Sequence, residues 1–238
     1  MRKGEHGLIK TNLGLVEYAK AQLGKPYWYG TFGNTATQSL LSAKAKQYPS
    51  HYREARMPQY RSRFGERVHD CVGLIKGYLW SETPTSKPKY NAAQDVSANG
   101  MYSVCKEKGK INTLPEIPGT LVFMPCHVGI YIGGGKVIEA RGFNYGVVKT
   151  DLKSRGWQTW GKCPWISYVS ENSSEYFPKC SHEAVSIVDA LKALGENSSF
   201  SFRRKIALAN GISDYTGTPK ENIRLLSLLR RGILIKPE

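Results

Sequence analysis

The strongest constraint on this chain lies near its middle, where two short β-rich runs are joined by three consecutive glycines. His127-Val-Gly-Ile-Tyr-Ile132 precedes Gly133-Gly134-Gly135, and Lys136-Val-Ile-Glu-Ala140 follows. Such a pattern reads as a β-hairpin with a three-residue loop. The loop length sets the register: Ile132 faces Lys136, Gly129 faces Glu139 and His127 faces Arg141. Glu139 is then the diagonal, same-face neighbour of His127. The two backbones stand roughly 7–8 Å apart, a gap that side chains close. A slip of one residue would turn Glu139 to the other face.

A second segment, His69-Asp70-Cys71-Val72-Gly73-Leu74, places a cysteine where a helix begins. Asp70 suits the N-cap, with Cys71 in the first turn. Val72, Leu74, Ile75, Tyr78 and Leu79 make an apolar surface too broad for a helix lying on the outside, so this helix is expected to be central. Unpaired N–H groups and the helix dipole at that end favour a thiolate, and they could later hold an oxyanion. With His127 as base and acid and Glu139 orienting the imidazole, Cys71 supplies the nucleophile of a cysteine hydrolase. Cys126 is a rival nucleophile. Because it adjoins His127, strand alternation is expected to turn its thiol to the opposite face.

Around these segments the chain reads as helices first and a meander after, hence α+β. Residues 12–23 form a helix capped by Asn12 and stopped at Gly24. Thr35-Ala36-Thr37-Gln38 is a capping box opening a second helix over about 36–47. Residues 48–68 give no clean period. Residues 81–118 read mostly as loop, with a short helix near Met101–Lys108. Strands are expected at Leu121–Phe123, His127–Ile132, Lys136–Ala140, Val147–Thr150 and Trp165–Val169. Residues 171–180 are polar and look like a linker. The stretch 181–238 reads as a small three-helix bundle. Ala184, Ile187, Val188, Leu191 and Leu194 mark its first helix, and Phe200 to Ala209 its second. The third starts at Thr218-Pro219-Lys220-Glu221, which offers an N-cap, Pro at N1 and a capping-box Glu.

Composition narrows the partners. A formal charge of +15 calls for an acidic one: nucleic acid, anionic lipid or an anionic wall polymer. The densest basic stretch, Lys44 to Arg67, interleaves tyrosines as single-strand-binding surfaces do. No nucleic-acid motif accompanies it, so a solvated loop region is the better reading and nucleic acid is not the expected partner. No apolar run reaches the roughly 18 residues that would span a bilayer. Met1-Arg2-Lys3-Gly4-Glu5-His6 opens no secretory signal. The five cysteines, Cys71, Cys105, Cys126, Cys163 and Cys180, form no Cys-x-x-Cys pair and read as free thiols in a reducing compartment. Neither a metal nor a cofactor is called for.

Three segments together resemble a known family. Gly-Lys-Pro-Tyr-Trp-Tyr-Gly at 24–30, Asp-Cys-Val-Gly-Leu at 70–74 and His-Val-Gly-Ile-Tyr at 127–131, in this order, are similar to the NlpC family of papain-like cell-wall cysteine peptidases. The likeness spans about residues 12–169. It implies a papain-like catalytic domain over 1–170, in which N-terminal helices pack on an antiparallel sheet. It implies catalytic roles for Cys71, His127 and Glu139, and a substrate cleft containing Tyr27, with Asp70 and Val72 flanking the nucleophile. It also implies cleavage of an amide in the stem peptide or cross-bridge of peptidoglycan, commonly next to γ-D-glutamyl, without a cofactor. Glu139 stands where the family often has His, and Val72 where it usually has Ser. The stretch from about 34 to 69 is longer than usual and reads as an insertion. The 181–238 segment resembles the wall-binding modules of phage endolysins, which wait in the host cytoplasm without a signal peptide and act on the wall after release. Alternatives with the same residues are an N-acetylmuramoyl-L-alanine amidase and a non-catalytic wall-binding protein.

Overall fold

The computed structural model describes residues 10–169, 175–181 and 183–237. The N-terminal hexapeptide and residues 171–174 of the expected linker lie outside them. The chain divides into two units, Leu15–Trp165 and Met1–Gly14 with Ile166–Glu238. The sequence places the boundary at 170; in the structure residues 10–14 group with the residues from Ile166 onward, and the division falls inside the first helix, α1 (Asn12–Ala21).

The larger unit continues with β1 (Phe32–Thr35), α2 (Gln38–Gln47), α3 (Met57–Arg61), β2 (Arg67–His69), α4 (Cys71–Trp80) and α5 (Ala98–Val104). It then runs through β3 (Lys108–Lys110), β4 (Leu121–Met124), β5 (His127–Tyr131), β6 (Lys136–Ala140), β7 (Val147–Asp151) and β8 (Thr159–Gly161). β1 and β2 pair with each other, and the remaining strands form one sheet in the order β3-β8-β4-β5-β6-β7 with antiparallel neighbours. This is the α+β arrangement expected, with the cysteine helix against the sheet. Buried Leu74 and Ile75 on α4 and Val128, Ile130 and Ile138 on β5 and β6 belong to its core. The glycine at position 73 has a steric reason. A Cβ there would stand 1.8 Å from the Thr31 carbonyl oxygen, so only glycine lets the first turn of α4 close on that backbone.

The 34–69 stretch, read from the sequence as an insertion, packs around a core that it shares with Trp28. Trp28, Leu41, Tyr52, Met57, Tyr60 and Val68 are all buried in one cluster, and Trp28 meets Tyr60 edge to face at 5.2 Å between ring centroids. Tyrosines that read as interleaved with a basic run are thus its packing residues. Of the cations in that run, Arg67 donates to Ser81 Oγ and to the Ser86 carbonyl, and Arg56 lies over Phe143.

Several expectations are corrected. Thr11, not Asn12, caps α1: its Oγ1 accepts from Gly14 N, while Asn12 exchanges hydrogen bonds with the Val169 backbone. Thr37 caps α2, accepting from Leu40 N, because Thr35 is taken by β1. The short helix before the meander is α5, capped by Ser97, and it ends before Lys108. Trp165–Val169 is not a strand. Ser167 makes one isolated parallel bridge to Thr11, and the last strand is β8, whose three residues pair with both β3 and β4.

In the smaller unit, α6 (Ile187–Ala193), α7 (Phe200–Ala209) and α8 (Pro219–Arg231) enclose Ile187, Leu191, Ile206, Leu225 and Leu229. The capping box at Thr218 and Glu221 is present, and Gly232 ends α8.

Candidate active site

Helix α4 presents Cys71 at its first position, and Asp70 fixes that end. One carboxylate oxygen of Asp70 accepts from Gly73 N at 2.5 Å and the other from Gly30 N at 2.8 Å. Asp70 is buried and both its oxygens are occupied. It fastens the 29–31 turn to the start of α4, and it contributes to the lining of the cleft beside Cys71. Burial raises its pKa, against the lowering effect of those two N–H groups.

The hairpin adopts the register read from its loop. Ile130 faces Ile138 and Tyr131 faces Val137, and Ile132 N donates to the Lys136 carbonyl. On the shared face His127 Nε2 and Glu139 Oε2 lie 2.7 Å apart. Glu139 is fully enclosed. Its Oε1 accepts from Thr150 Oγ1 at 2.8 Å and Arg155 Nε at 2.9 Å, and its Oε2 also accepts from Arg155 Nη2 at 3.0 Å. Burial alone would raise this carboxyl. The bonds from His127, Arg155 and Thr150 outweigh it and hold the pKa at about 2, so the group is a carboxylate throughout the neutral range. Trp157 stacks on the imidazole, with ring centroids 5.6 Å apart. The His127 ring is thereby set by one charge-assisted bond and one aromatic face.

Cys71 faces the chain that carries His127. Its Sγ lies 4.0 Å from the Cys126 carbonyl oxygen, and the N–H groups of Val72, Val128 and Cys71 itself favour negative charge on the sulfur. Among the described residues no hydrogen bond joins the thiol to the imidazole. Nε2 is committed to Glu139, which leaves Nδ1 as the other ring nitrogen. The helix end does not by itself make a thiolate. Burial, then the Asp70 charge, push the thiol up to about 12, and the three N–H groups only moderate this. Solvent reaches one side of Cys71, yet protein surrounds it closely enough for desolvation to dominate. Tyr27 pairs with His69 in an isolated bridge. Its pKa is raised by burial and by the nearby Cys71 and Asp70, which keeps its hydroxyl protonated beside the nucleophile.

A cleft of about 490 Å³ opens beside Cys71, and Tyr29, Val72, Lys76, Asn99 and Cys126 contribute to its lining. Tyr27 instead lines a neighbouring hollow with Trp28 and Phe143. Cys126 does not follow strand alternation. It occupies the β4–β5 turn at φ 59°, exposed, with its N–H on Asn99 Oδ1, and so shares the cleft with Cys71. The other three cysteines, Cys105, Cys163 and Cys180, are buried. Among the described residues no three His, Cys, Asp or Glu side chains group so as to hold a metal ion, and no helix is long and apolar enough to cross a membrane.

Sequence reasoning missed Thr150, Arg155 and Trp157. Thr150 was within reach: β7 pairs Glu139 with Val148, which makes Thr150 a same-face diagonal neighbour. Arg155 and Trp157 follow a 3-10 turn at Leu152–Ser154, which leaves no periodic signal.

Residues 54–165, a stretch that contains Cys71, His127 and Glu139, match the model of the NlpC/P60 family. Members of that family are cysteine peptidases acting on peptidoglycan. The motif at 24–30 precedes the matched stretch. The chain is 31% identical over 98 residues to the "Probable endopeptidase p60" of Listeria innocua, a match covering 39% of this chain and 18% of that one. Among solved structures it is similar to NlpC1 from Trichomonas vaginalis (15% identity, 70% of this chain and 47% of that one, TM-score 0.41). It is also similar to the P60 domain of an antigen from M. avium subspecies paratuberculosis (17% identity, 66% and 98%, TM-score 0.39).

Proposed function

We propose that this chain hydrolyses an amide bond in the peptide part of bacterial peptidoglycan, in the manner of an endolysin, through an acyl-enzyme on Cys71. The observation that carries this reading is the 2.7 Å contact of His127 Nε2 with a fully enclosed carboxylate, on the chain segment against which the Cys71 thiol lies.

The thiol rests neutral, so attack and proton transfer are coupled. Sγ adds to the substrate carbonyl carbon as its proton passes to His127 Nδ1. Negative charge on the carbonyl oxygen meets the first-turn N–H groups of α4, which aim at the sulfur already. His127 then gives that proton to the leaving amine nitrogen, and the C–N bond breaks. A water molecule adds to the thioester carbon while giving a proton to His127, and expulsion of Sγ, which takes the proton back, releases the acid. Glu139 keeps one orientation of the ring and stabilises the imidazolium in each half of the cycle.

The tail and the positive charge of the chain suit retention on an anionic wall, and the place of action is the wall rather than the host cytoplasm. Cys71→Ala tests the catalytic claim. Release of soluble peptide fragments from purified walls should stop while the far-ultraviolet spectrum is unchanged; undiminished release would end the hydrolase reading. Mass spectrometry of the fragments separates an endopeptidase from an amidase, because only the latter frees whole stems from glycan. Retention of the full chain on walls, compared with residues 1–169, tests the tail. Equal retention would remove its anchoring role.

A further inference from the structure

Resting on that reading, we propose that Lys44, carried into the cleft by the 34–69 insertion, binds a carboxylate of the substrate and makes the enzyme prefer acidic over amidated peptides. Helix α2 supplies Lys44, Gln47 and Tyr48 to the lining of the same cleft as Cys71. This wall is fastened to the nucleophile by packing. The Tyr48 ring lies on Gly30, where a Cβ would come within 2.4 Å of its Cε2, and Gly30 N donates to Asp70 beside Cys71. Tyr29 bridges the two parts, meeting the Tyr48 ring edge to face and stacking on His51 at 3.6 Å, while Tyr52 Oη donates to its carbonyl. The wall is therefore preformed, and the cation it carries is held in place before substrate arrives.

Of the two lysines that line the cleft, Lys44 is the one without an ion pair among the described residues. Lys76 is paired with Asp95, and Asp95 also accepts from Tyr90 Oη. Asp70 accepts from its two N–H partners and acts on Lys44 only through space. Lys44 donates to Gln47 Oε1 at 3.0 Å and lies 5.5 Å from the centre of the Tyr48 ring; among the described residues it has no carboxylate partner. Partial desolvation lowers its pKa by more than the charges of Asp70 and Asp95 raise it, and an incoming anion would offset the cost that remains. The cleft also holds the nucleophile, so the anion belongs to the molecule whose amide is cut, and on a peptide that anion is a carboxylate.

The test uses the full chain carrying Cys71→Ala, titrated calorimetrically with two synthetic stem peptides. One has a free α-carboxylate on its γ-D-glutamyl residue, and the other has the carboxamide there. A charge-assisted bond predicts that the acid binds roughly tenfold tighter than the amide. Adding Lys44→Gln should reduce that ratio to about one, Lys44→Arg should restore it, and Lys46→Gln, on the exposed side of the same helix, should leave it intact. Equal affinities with Lys44 present, a preference that survives Lys44→Gln, or no binding of either peptide would overturn the proposal. Fragment release from walls by the unsubstituted chain reads the hydrolase activity separately. Release without an acid preference sinks only the role of Lys44, whereas no release sinks the reading beneath it.

Discussion

Replacing Glu139 with Gln keeps the shape of the side chain and removes its charge, which makes the worth of that charge measurable. The carboxyl is held at about 2 against an ordinary 4.5, a depression of about 2.5 units. At 1.36 kcal/mol per unit this is roughly 3 kcal/mol of folding stability at pH 7. The sign follows from the direction of the shift. A depressed pKa stabilises the folded state above the unfolded value of 4.5, and that stability is lost as pH falls through 4.5 toward 2. Glu139→Gln should therefore unfold about 3 kcal/mol more easily at pH 7, the gap shrinking to about 1 kcal/mol at pH 3. Urea transitions followed by tryptophan fluorescence at pH 7, 5 and 3 give both figures. Activity should fall by roughly 10²-fold or more, because the imidazolium loses its counter-charge. A gap below about 1 kcal/mol at pH 7, or one that does not narrow with acid, would show that the bonds from Arg155, Thr150 and His127 do not hold the carboxylate as argued.

Two other substitutions report on separate parts of the chain. Gly30→Ala forces a Cβ onto a residue at φ +74° and into the Tyr48 ring; a loss of about 1–3 kcal/mol is expected in the same urea assay, together with weaker peptide binding by calorimetry as the insertion wall is pushed back. Thr218→Ala removes the α8 cap and should lower the stability of the tail by about 1 kcal/mol, with cleavage of a soluble peptide unchanged.

What could be read from residues alone followed the range of the interactions involved. The Gly133–Gly135 loop fixed a local register, and with it the meeting of His127 and Glu139. Asp70 as a cap and the Thr218–Glu221 box are likewise local. The two failures at helix starts, Asn12 for Thr11 and Thr35 for Thr37, came from tertiary demands: Asn12 is needed by the Val169 backbone, and Thr35 by β1. Trp165–Val169 looked like a strand because it is β-rich, but the sheet is completed by the shorter Thr159–Gly161, whose glycine lies against Cys105. The insertion showed no period because its core is aromatic and comes from loops, short helices and Trp28. No sequence spacing announces that Lys44 would reach the cleft or that Arg155 would clamp Glu139.

The state of Cys71 shows why position in a helix is not enough to define a nucleophile. A helix end contributes partial positive charge through its unpaired N–H groups, which is worth about 0.3–1 kcal/mol at exposed sites and falls off within one turn. At Cys71 the competing effects are larger. Packing around the thiol and the carboxylate of the preceding residue both disfavour the anion, and they prevail, with the thiol at about 12. Asp70 is nonetheless required, since it ties Gly30 and Gly73 to one point and so sets where the sulfur stands. On the proposed mechanism the fold accepts a less acidic thiol in exchange for a fixed one, and the task of making the thiolate moves to His127. That task is feasible because Glu139 is already ionised and enclosed, so the imidazolium forms next to a charge that needs no reorganisation. On this proposal activation is a property of the sheet as much as of the helix, and residues 54–165 have to be folded as one piece for the cysteine to react.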